Sequence, residues 1–384
     1  MSGNSGRRHA PLHGRVWLLT ADGKSRALVS GLRENGVRGE ILGSPTFVLW
    51  WHLVRGHRVQ RGDVVVCRYL NDHPNLFISL MKVLGDSVAV SIARTRGVRV
   101  LWLCHNVDRE TETYWPGITA WRRGLWSRAA ETILVPDPAL MSPAIGAFLG
   151  HRDKLRPITV GPLPTPTLDP EEQARLAQVK AFLNAPSDGG RKPLRLLVAG
   201  TPGRKYLHFS LLPRLCDALE HSGWAPRVVV AGQFDNRGRV IRGEDYRKFL
   251  AWCRDHDNIH LETSYLPLDE RELADSIDLI WRSIADWSFA FTLFNAALAR
   301  IPILTYEAGF LGSFVPQQGL GATIAWDFSN VDEAVRDALH ADPQNFERFL
   351  TERSWERGGA LIVAALSEQE PHVLETAVGG ELQG

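Results

Sequence analysis

Asp286-Trp287-Ser288-Phe289-Ala290-Phe291-Thr292-Leu293-Phe294-Asn295-Ala296-Ala297-Leu298-Ala299-Arg300-Ile301-Pro302 joins a polar turn to a short apolar helix that stops just before a strand. Ser288 has the side chain of a good N-cap, Phe289 to Ala299 suits a helix, and Ile301 to Tyr306 reads as a buried β-strand. With the positive end of a helix dipole behind them, the free amides of Ser288 to Phe291 suit a phosphate or diphosphate. An ordinary packing helix of an α/β sheet, with no ligand at its end, explains the same residues.

Upstream, the alternation of strand, loop and helix occurs twice. Arg15 to Thr20, Asp63 to Arg68, Val98 to Cys104 and Thr132 to Pro136 read as strands of a first unit, with a helix through Ala27 to Asn35. Pro157, Gly161, Pro162, Pro164 and Pro166 then give linker composition. Glu171 to Ala185 has helical content, and Ser187-Asp188-Gly189-Gly190 makes a turn. From Leu194 the pattern restarts as a strand ending at Gly200, with further strands at Arg227 to Ala231, Ile259 to Leu261, Leu279 to Trp281 and Ile303 to Tyr306. These repeats predict an α/β fold with parallel sheets and helices on both faces. A length of 384 residues suits two domains of comparable size. The expected division is 1–165, a linker region at 166–192, 193–345, and a tail at 346–384.

Hydrophobic residues make up 44% and charged residues 23%, a globular composition. Lys plus Arg total 44 against 43 Asp plus Glu, so a formal charge of +1 offers no global attraction to nucleic acid, and any anion site is local. Cys67, Cys104, Cys216 and Cys253 are far apart and make no metal-ligand spacing, so free thiols in a reducing compartment are expected. Met1 to Arg8 is polar and glycine-rich with no apolar signal-peptide core after it, and no uninterrupted apolar run reaches membrane-span length. The expectation is a cytoplasmic protein.

Ligands of parallel sheets bind beyond the carboxyl ends of the strands, which brings particular loops into play. Cys104-His105-Asn106-Val107-Asp108-Arg109-Glu110 leaves its strand rich in polar and ionisable groups. His105 is placed to donate to a sugar hydroxyl, with Asp108 or Glu110 available as a base; a solvated loop whose Asn106 and Asp108 cap a helix is the plain alternative. Gly200-Thr201-Pro202-Gly203-Arg204-Lys205 lets backbone approach a ligand and brings two cations to a helix start, as a pyrophosphate requires. It has neither the Walker spacing nor the dinucleotide glycine pattern, which removes the main support for ATPase and dehydrogenase readings. Tyr265 follows a strand and can stack on a base or fill the core. Glu307, at the end of Ile303 to Tyr306, can meet a sugar or ribose hydroxyl or stand as a surface carboxylate.

With these loops in hand, the chain resembles glycosyltransferases built from two facing Rossmann-like domains (GT-B type), especially bacterial family 4 and exopolysaccharide enzymes. His105-Asn106 resembles the histidine that ends a first-domain strand in that family. Gly200 and Lys205 match the spacing of its diphosphate-binding loop, although Thr201 stands where a basic residue is usual and leaves Arg204 to substitute. Asn295 to Pro302 is similar to the family's acidic-Ala-x-Ala-x-Gly-x-Pro signature, but Trp287 and Asn295 occupy the positions of its paired glutamates and Arg300 that of its glycine. Asn295 can still hydrogen-bond a ribose without carrying charge. Phe346 to Ala365 resembles the helix that crosses back to the first domain.

The resemblance implies a central cleft, a nucleotide diphosphate sugar donor bound through Gly200, Arg204, Lys205, Tyr265, Ser288, Asn295 and Glu307, and catalysis by His105 with Asp108 or Glu110. The acceptor is a hydroxyl of a glycan, lipid-linked sugar or small natural product. Lys205, Arg204 and the amides near Ser288 would take the leaving-group charge, so no cofactor and no metal are expected. A nucleotide-sugar epimerase and a noncatalytic nucleotide-binding partner subunit remain open. Trp115, Trp121 and Trp126 interleaved with Arg122, Arg123 and Arg128, together with Trp50-Trp51, Arg55, His57 and Arg58, predict peripheral contact with the inner face of a membrane. Indoles at helical spacing also suit a core.

Overall fold

The computed structural model describes residues 14–56, 58–110, 113–165, 167–186, 190–199, 208–231, 243–262 and 270–367. Among them, β1 (Val16–Leu18), β2 (Gly39–Ile41), β3 (Val64–Cys67), β4 (Arg99–Leu103), β5 (Thr132–Val135) and β6 (Leu155–Pro157) form one parallel sheet, ordered β2-β1-β3-β4-β5-β6. A second parallel sheet comprises β7 (Lys192–Ala199), β8 (Trp224–Ala231), β9 (Ile259–Glu262), β10 (Leu279–Arg282), β11 (Ile303–Tyr306) and β12 (Gly321–Ile324), ordered β12-β11-β10-β7-β8-β9. Central strands such as β3, Val-Val-Val-Cys, are buried throughout, because helices cover both faces of the sheet.

The first sheet is accompanied by α1 (Gly23–Glu34), α2 (Leu49–Arg55), α3 (Leu76–Arg96), α4 (Pro116–Ala129) and α5 (Met141–Ala147). The second has α6 (Pro170–Leu183), α7 (His208–His221), α8 (Gly243–Arg254), α9 (Glu270–Leu273), α10 (Thr292–Ala299), α11 (Gly309–Gln318), α12 (Val331–Leu339) and α13 (Pro343–Glu352). The helical content expected at Glu171 to Ala185, inside the linker region 166–192, is α6, started by Pro170 and a capping box between Asp169 and Glu172. This helix docks on the second sheet, where Arg227 donates to the Phe182 carbonyl at 3.1 Å and Asn184 to the Ser276 hydroxyl at 2.9 Å.

The last described helix, α14 (Trp355–Leu366), returns to the first domain and packs on α1. Two glycines permit that approach: a Cβ on Gly359 would strike the Gly31 carbonyl, and one on Gly31 would strike the Trp355 carbonyl. Gly359→Ala should therefore cost about 1–3 kcal/mol, as overpacking does. Thermal melting checks this, and an unchanged Tm would mean that the helices part freely.

Of the three outward cations expected on Trp115 to Arg128, only Arg128 is exposed, and Arg122 and Arg123 are a correction. Arg122 is buried in α4, donates to Asp86 of α3 at 2.7 Å, and also meets the carbonyls of Leu70 and Asn71 and the Thr46 hydroxyl. A carboxylate inside the helix layer requires such a partner. Trp126 is likewise buried, and Arg123 turns toward the loop after β4. Neither arginine faces a headgroup layer.

Candidate functional site between the two sheets

In the first sheet the strand order reverses between β1 and β3, and in the second between β7 and β10. Ligands of open parallel sheets bind at such reversals, outside the carboxyl ends of the strands. The loops that count are thus those after β1 and β3, and those after β7 and β10, with the neighbouring loop of β4. Gly200, Arg204 and Lys205 follow β7, and the turn around Asp286 follows β10. Gly200, Arg204, Lys205 and Tyr265 lie outside the described residues.

Arg68, directly after β3, organises the first-domain side. Its guanidinium donates to Nε2 of His105 at 3.1 Å, to Asp22 at 2.6 Å, to Ser25 at 2.7 Å and to the Tyr69 hydroxyl at 2.9 Å. The Tyr69 ring stacks on His105 with centroids 5.3 Å apart. Because Nε2 accepts, the imidazole proton sits on Nδ1, which fixes the tautomer. Asp22 also caps α1 through the Ser25 amide. Burial alone would raise its carboxyl, but Arg68 and the cap bonds outweigh this and hold it below the usual aspartate range. Arg68, Asp22, Ser25 and Tyr69 were missed in the sequence reading, although Asp22 and Arg68 each stand just past a strand that flanks the reversal.

Behind His105, Arg123 clamps the loop. It donates to the carbonyls of Asn106 (2.9 Å) and Val107 (2.7 Å) and to Glu110 (3.0 Å), while lying over the rings of Trp102 and Phe148. Glu110 is buried; burial pushes its carboxyl up, opposed by Arg123. Its present work is bracing the loop. Asp108 is more exposed and lines a pocket of about 730 Å³ with Thr113, Thr119, Arg123, Ser127 and Phe148. Burial, and then the nearby Asp286 charge, raise the Asp108 carboxyl above the ordinary range. The Cys104 thiol is buried and pushed up to about 12 by desolvation, which keeps it protonated and unreactive at neutral pH.

The two domains meet at this loop. Asn106 forms an antiparallel bridge with Ser288, the Val107 amide donates to the Trp287 carbonyl at 2.9 Å, and Arg109 donates to buried Asp286 at 2.7 Å. Ser288 is therefore not the helix cap expected from sequence; pairing with Asn106 holds it extended, and α10 begins at Thr292 with Phe291 as N-cap and no side-chain cap bond. Phe291 is covered by the Lys24 ammonium at 4.0 Å and stacks on Trp355. Asn295 sits half-buried in the first turns of α10. Arg300 ends that helix at φ 54, a left-handed conformation that suits the glycine of the similar signature.

Glu307 is exposed, and its carboxylate accepts from the Trp326 amide at 3.1 Å. Its turn abuts the Asp286 turn: the Phe310 amide donates to the Asp286 carbonyl at 3.2 Å, and Gly309, at φ +62, lies where a Cβ would be 2.6 Å from the Ala285 carbonyl. Glu307 and Ser288 thus belong to neighbouring turns, and His105, Asp108 and Ser288 to one interdomain junction. Among the described residues no group of three or more His, Cys, Asp or Glu side chains is arranged to hold a metal.

No protein-family model matches the sequence, and no curated protein matches it. Solved structures do match. The catalytic domain of starch synthase IV from Arabidopsis thaliana, bound to ADP and acarbose, aligns with a TM-score of 0.59 at 13% identity, covering 93% of this chain and 100% of that one. A glycosyltransferase from Rickettsia africae gives 0.58 at 10% identity, covering 92% and 98%. Sucrose-phosphate synthase from Thermosynechococcus elongatus gives 0.53 at 15%, covering 92% and 97%. The fold is the two-domain GT-B type: facing Rossmann-like domains, a central cleft and a crossover helix.

Proposed function

We propose that the protein is a glycosyltransferase, moving a sugar from a nucleoside diphosphate donor to a hydroxyl of a glycan, lipid-linked sugar or small natural product. The observation that carries this reading is the junction of His105 and Asp108, from the first domain, with the Asp286 to Phe291 turn at the strand-order reversal of the second. In a GT-B fold that junction separates an acceptor side from a donor side. The ADP in the similar starch synthase supports a nucleoside diphosphate here.

As the glycosidic bond lengthens, negative charge builds on the departing diphosphate, and the first need is to stabilise it. Lys205 and Arg204 after β7, with backbone amides after β10, would meet it and make a metal unnecessary in this mechanism. Asn295 and Glu307 would contact the nucleoside, and Tyr265 its base. His105, oriented by Arg68, would meet the sugar. Asp108 would take the acceptor proton; Glu110, engaged by Arg123, would hold the loop. The chemistry proposed follows that of bacterial family 4 and exopolysaccharide enzymes, in a cytoplasmic setting at the inner face of the membrane.

One observation favours a second reading. Both positions of the similar family's glutamates lack a carboxylate, and the neighbouring Asp286 is engaged by Arg109. A noncatalytic subunit would bind nucleotide without turnover. Incubation with a panel of nucleotide sugars and candidate acceptors, read by mass spectrometry, separates the readings: a glycosylated acceptor is expected, nucleotide binding alone would indicate the noncatalytic subunit, and an isomerised donor without acceptor would indicate an epimerase. In calorimetry, Lys205→Ala should weaken nucleoside diphosphate binding by about 1.5–3 kcal/mol, the range of a hydrogen bond to a charged group. Unaltered affinity in a folded variant would remove Lys205 from the site.

A further inference from the structure

The helix α3 is apolar on the side it shows to solvent as well as on the side it buries. Ser79, Val83, Asp86, Ala89 and Ala93 face the protein. Phe77, Leu80, Met81, Leu84 and Val88 recur at helical spacing on the outer side, with Phe77 69% and Leu84 57% exposed. By length and composition α3 is apolar enough to cross a membrane. It does not cross one here: β3 and β4, which it connects, are neighbouring parallel strands, so the helix lies flat along their sheet. Trp51 and Val54 of α2 and Trp121 of α4, the helices packed on either side, extend the exposed apolar surface. So broad an apolar surface on a folded protein marks a place of contact.

We infer that α3, flanked by α2 and α4, docks this protein on an anionic lipid bilayer, with the outer stripe of α3 lying in the interface. The charges around the stripe identify the partner. At the carboxyl ends of the three helices stand Arg55, Arg94, Arg96 and Arg128, all exposed. Arg94 reaches the Arg128 carbonyl and Arg96 the Val54 carbonyl, each at 3.2 Å, so these cations sit side by side across the helix ends. The sole carboxylate of α2, α3 and α4 is Asp86, buried against Arg122. A second copy of this chain would offer only the same arginines to that rim, whereas anionic headgroups complement it and acyl chains accept the stripe.

The placement has a consequence for the site. The segment from Arg68, which holds His105, to the α3 N-cap Asn75 is short, so the apolar end of the helix lies near the cleft. A lipid-linked acceptor would then be presented from the surface on which the protein rests. This last step rests on the proposed transferase activity; the docking itself does not.

The test is flotation of the full chain with vesicles of phosphatidylglycerol and phosphatidylcholine in equal parts, against phosphatidylcholine alone. The wild type should float with the anionic vesicles and be released by salt. Combining Phe77→Glu with Leu84→Glu should lower the partition by about tenfold or more, because two apolar anchors are lost and two like charges meet the headgroups. Nucleoside diphosphate affinity and Tm should be unchanged, since both side chains are mostly exposed. Arg94→Ser with Arg128→Ser should weaken binding to anionic vesicles selectively. A wild type that stays at the bottom of the gradient, or a double glutamate variant that floats equally well, would overturn the proposal. So would a solution dimer, seen by sedimentation equilibrium, that the glutamates split in a protein without vesicle affinity. Absence of sugar transfer would leave the flotation result unaffected, so the two readings fail separately.

Discussion

Replacing Asp108 with Asn should lower kcat by about 10²- to 10⁴-fold, the usual contribution of a general base, with little change in donor affinity. Both carboxylates of the His105 loop line the pocket of about 730 Å³, and Asp108 is the exposed one. Glu110 is buried and already shares Arg123 with two carbonyls. The acid limb of the pH profile should also report Asp108. Burial and then Asp286 raise its carboxyl, so activity should rise with pH through a value above the ordinary aspartate range. Asp286→Asn removes a nearby negative charge and releases Arg109 toward Asp108. Both effects lower the Asp108 pKa, and the acid limb should move to lower pH. A pH series of kcat/KM for wild type, Asp108→Asn and Asp286→Asn reads all of this. A loss under about threefold in Asp108→Asn would mean that another group, such as the departing phosphate oxygen, takes the proton.

The parts of this machine that were legible in the sequence are those with strong local signals. Runs such as Val64–Cys67 and Arg99–Leu103 declare buried central strands because both faces are covered, and polarity changes abruptly where each strand ends. The missed strands, β2, β6 and β12, are short and lie at or near sheet edges; Gly-Glu-Ile and Leu-Arg-Pro hold too few residues for a period to show. The His105 loop was visible as a cluster, and its position opposite Ser288 emerges only when two sheets face each other. Arg68 was invisible for a related reason: nothing local distinguishes a buried arginine that orients a histidine from one at a strand's solvated end. The same limit misplaced Arg122 and Arg123. An indole and arginine pattern reads as an interface until the buried Asp86 on another helix is seen to require the cation. The exposed stripe of α3 was hidden by Lys82 and Asp86, which interrupt the apolar run although Asp86 points inward.

Arg353→Ala should destabilise the protein by about 3–5 kcal/mol at neutral pH, the cost of leaving one member of a buried ion pair alone. Arg353 stands where the chain leaves α13 for α14, and so where it crosses between domains. Its guanidinium lies over Phe349 and Phe314, 4.5 and 5.2 Å from the ring centroids, and donates to buried Asp137 at 2.8 Å. Asp137 follows β5 in the first domain, whereas both rings belong to the second; one side chain therefore joins them. Burial already raises the Asp137 carboxyl, with Arg353 opposing the rise. Removing Arg353 should raise it further. A carboxyl whose folded pKa exceeds its unfolded value favours the folded state fully below the unfolded pKa and loses that contribution as pH rises through the folded pKa. The deficit of Arg353→Ala against wild type should hence be small in acid and grow toward neutral pH. Arg353→Lys, which keeps charge but not the planar stacking over two phenyl rings, should recover only part of the loss. Urea denaturation of the three proteins across this pH range checks the argument. A deficit that does not vary with pH would locate the cost in the ring contacts instead of in the Asp137 charge.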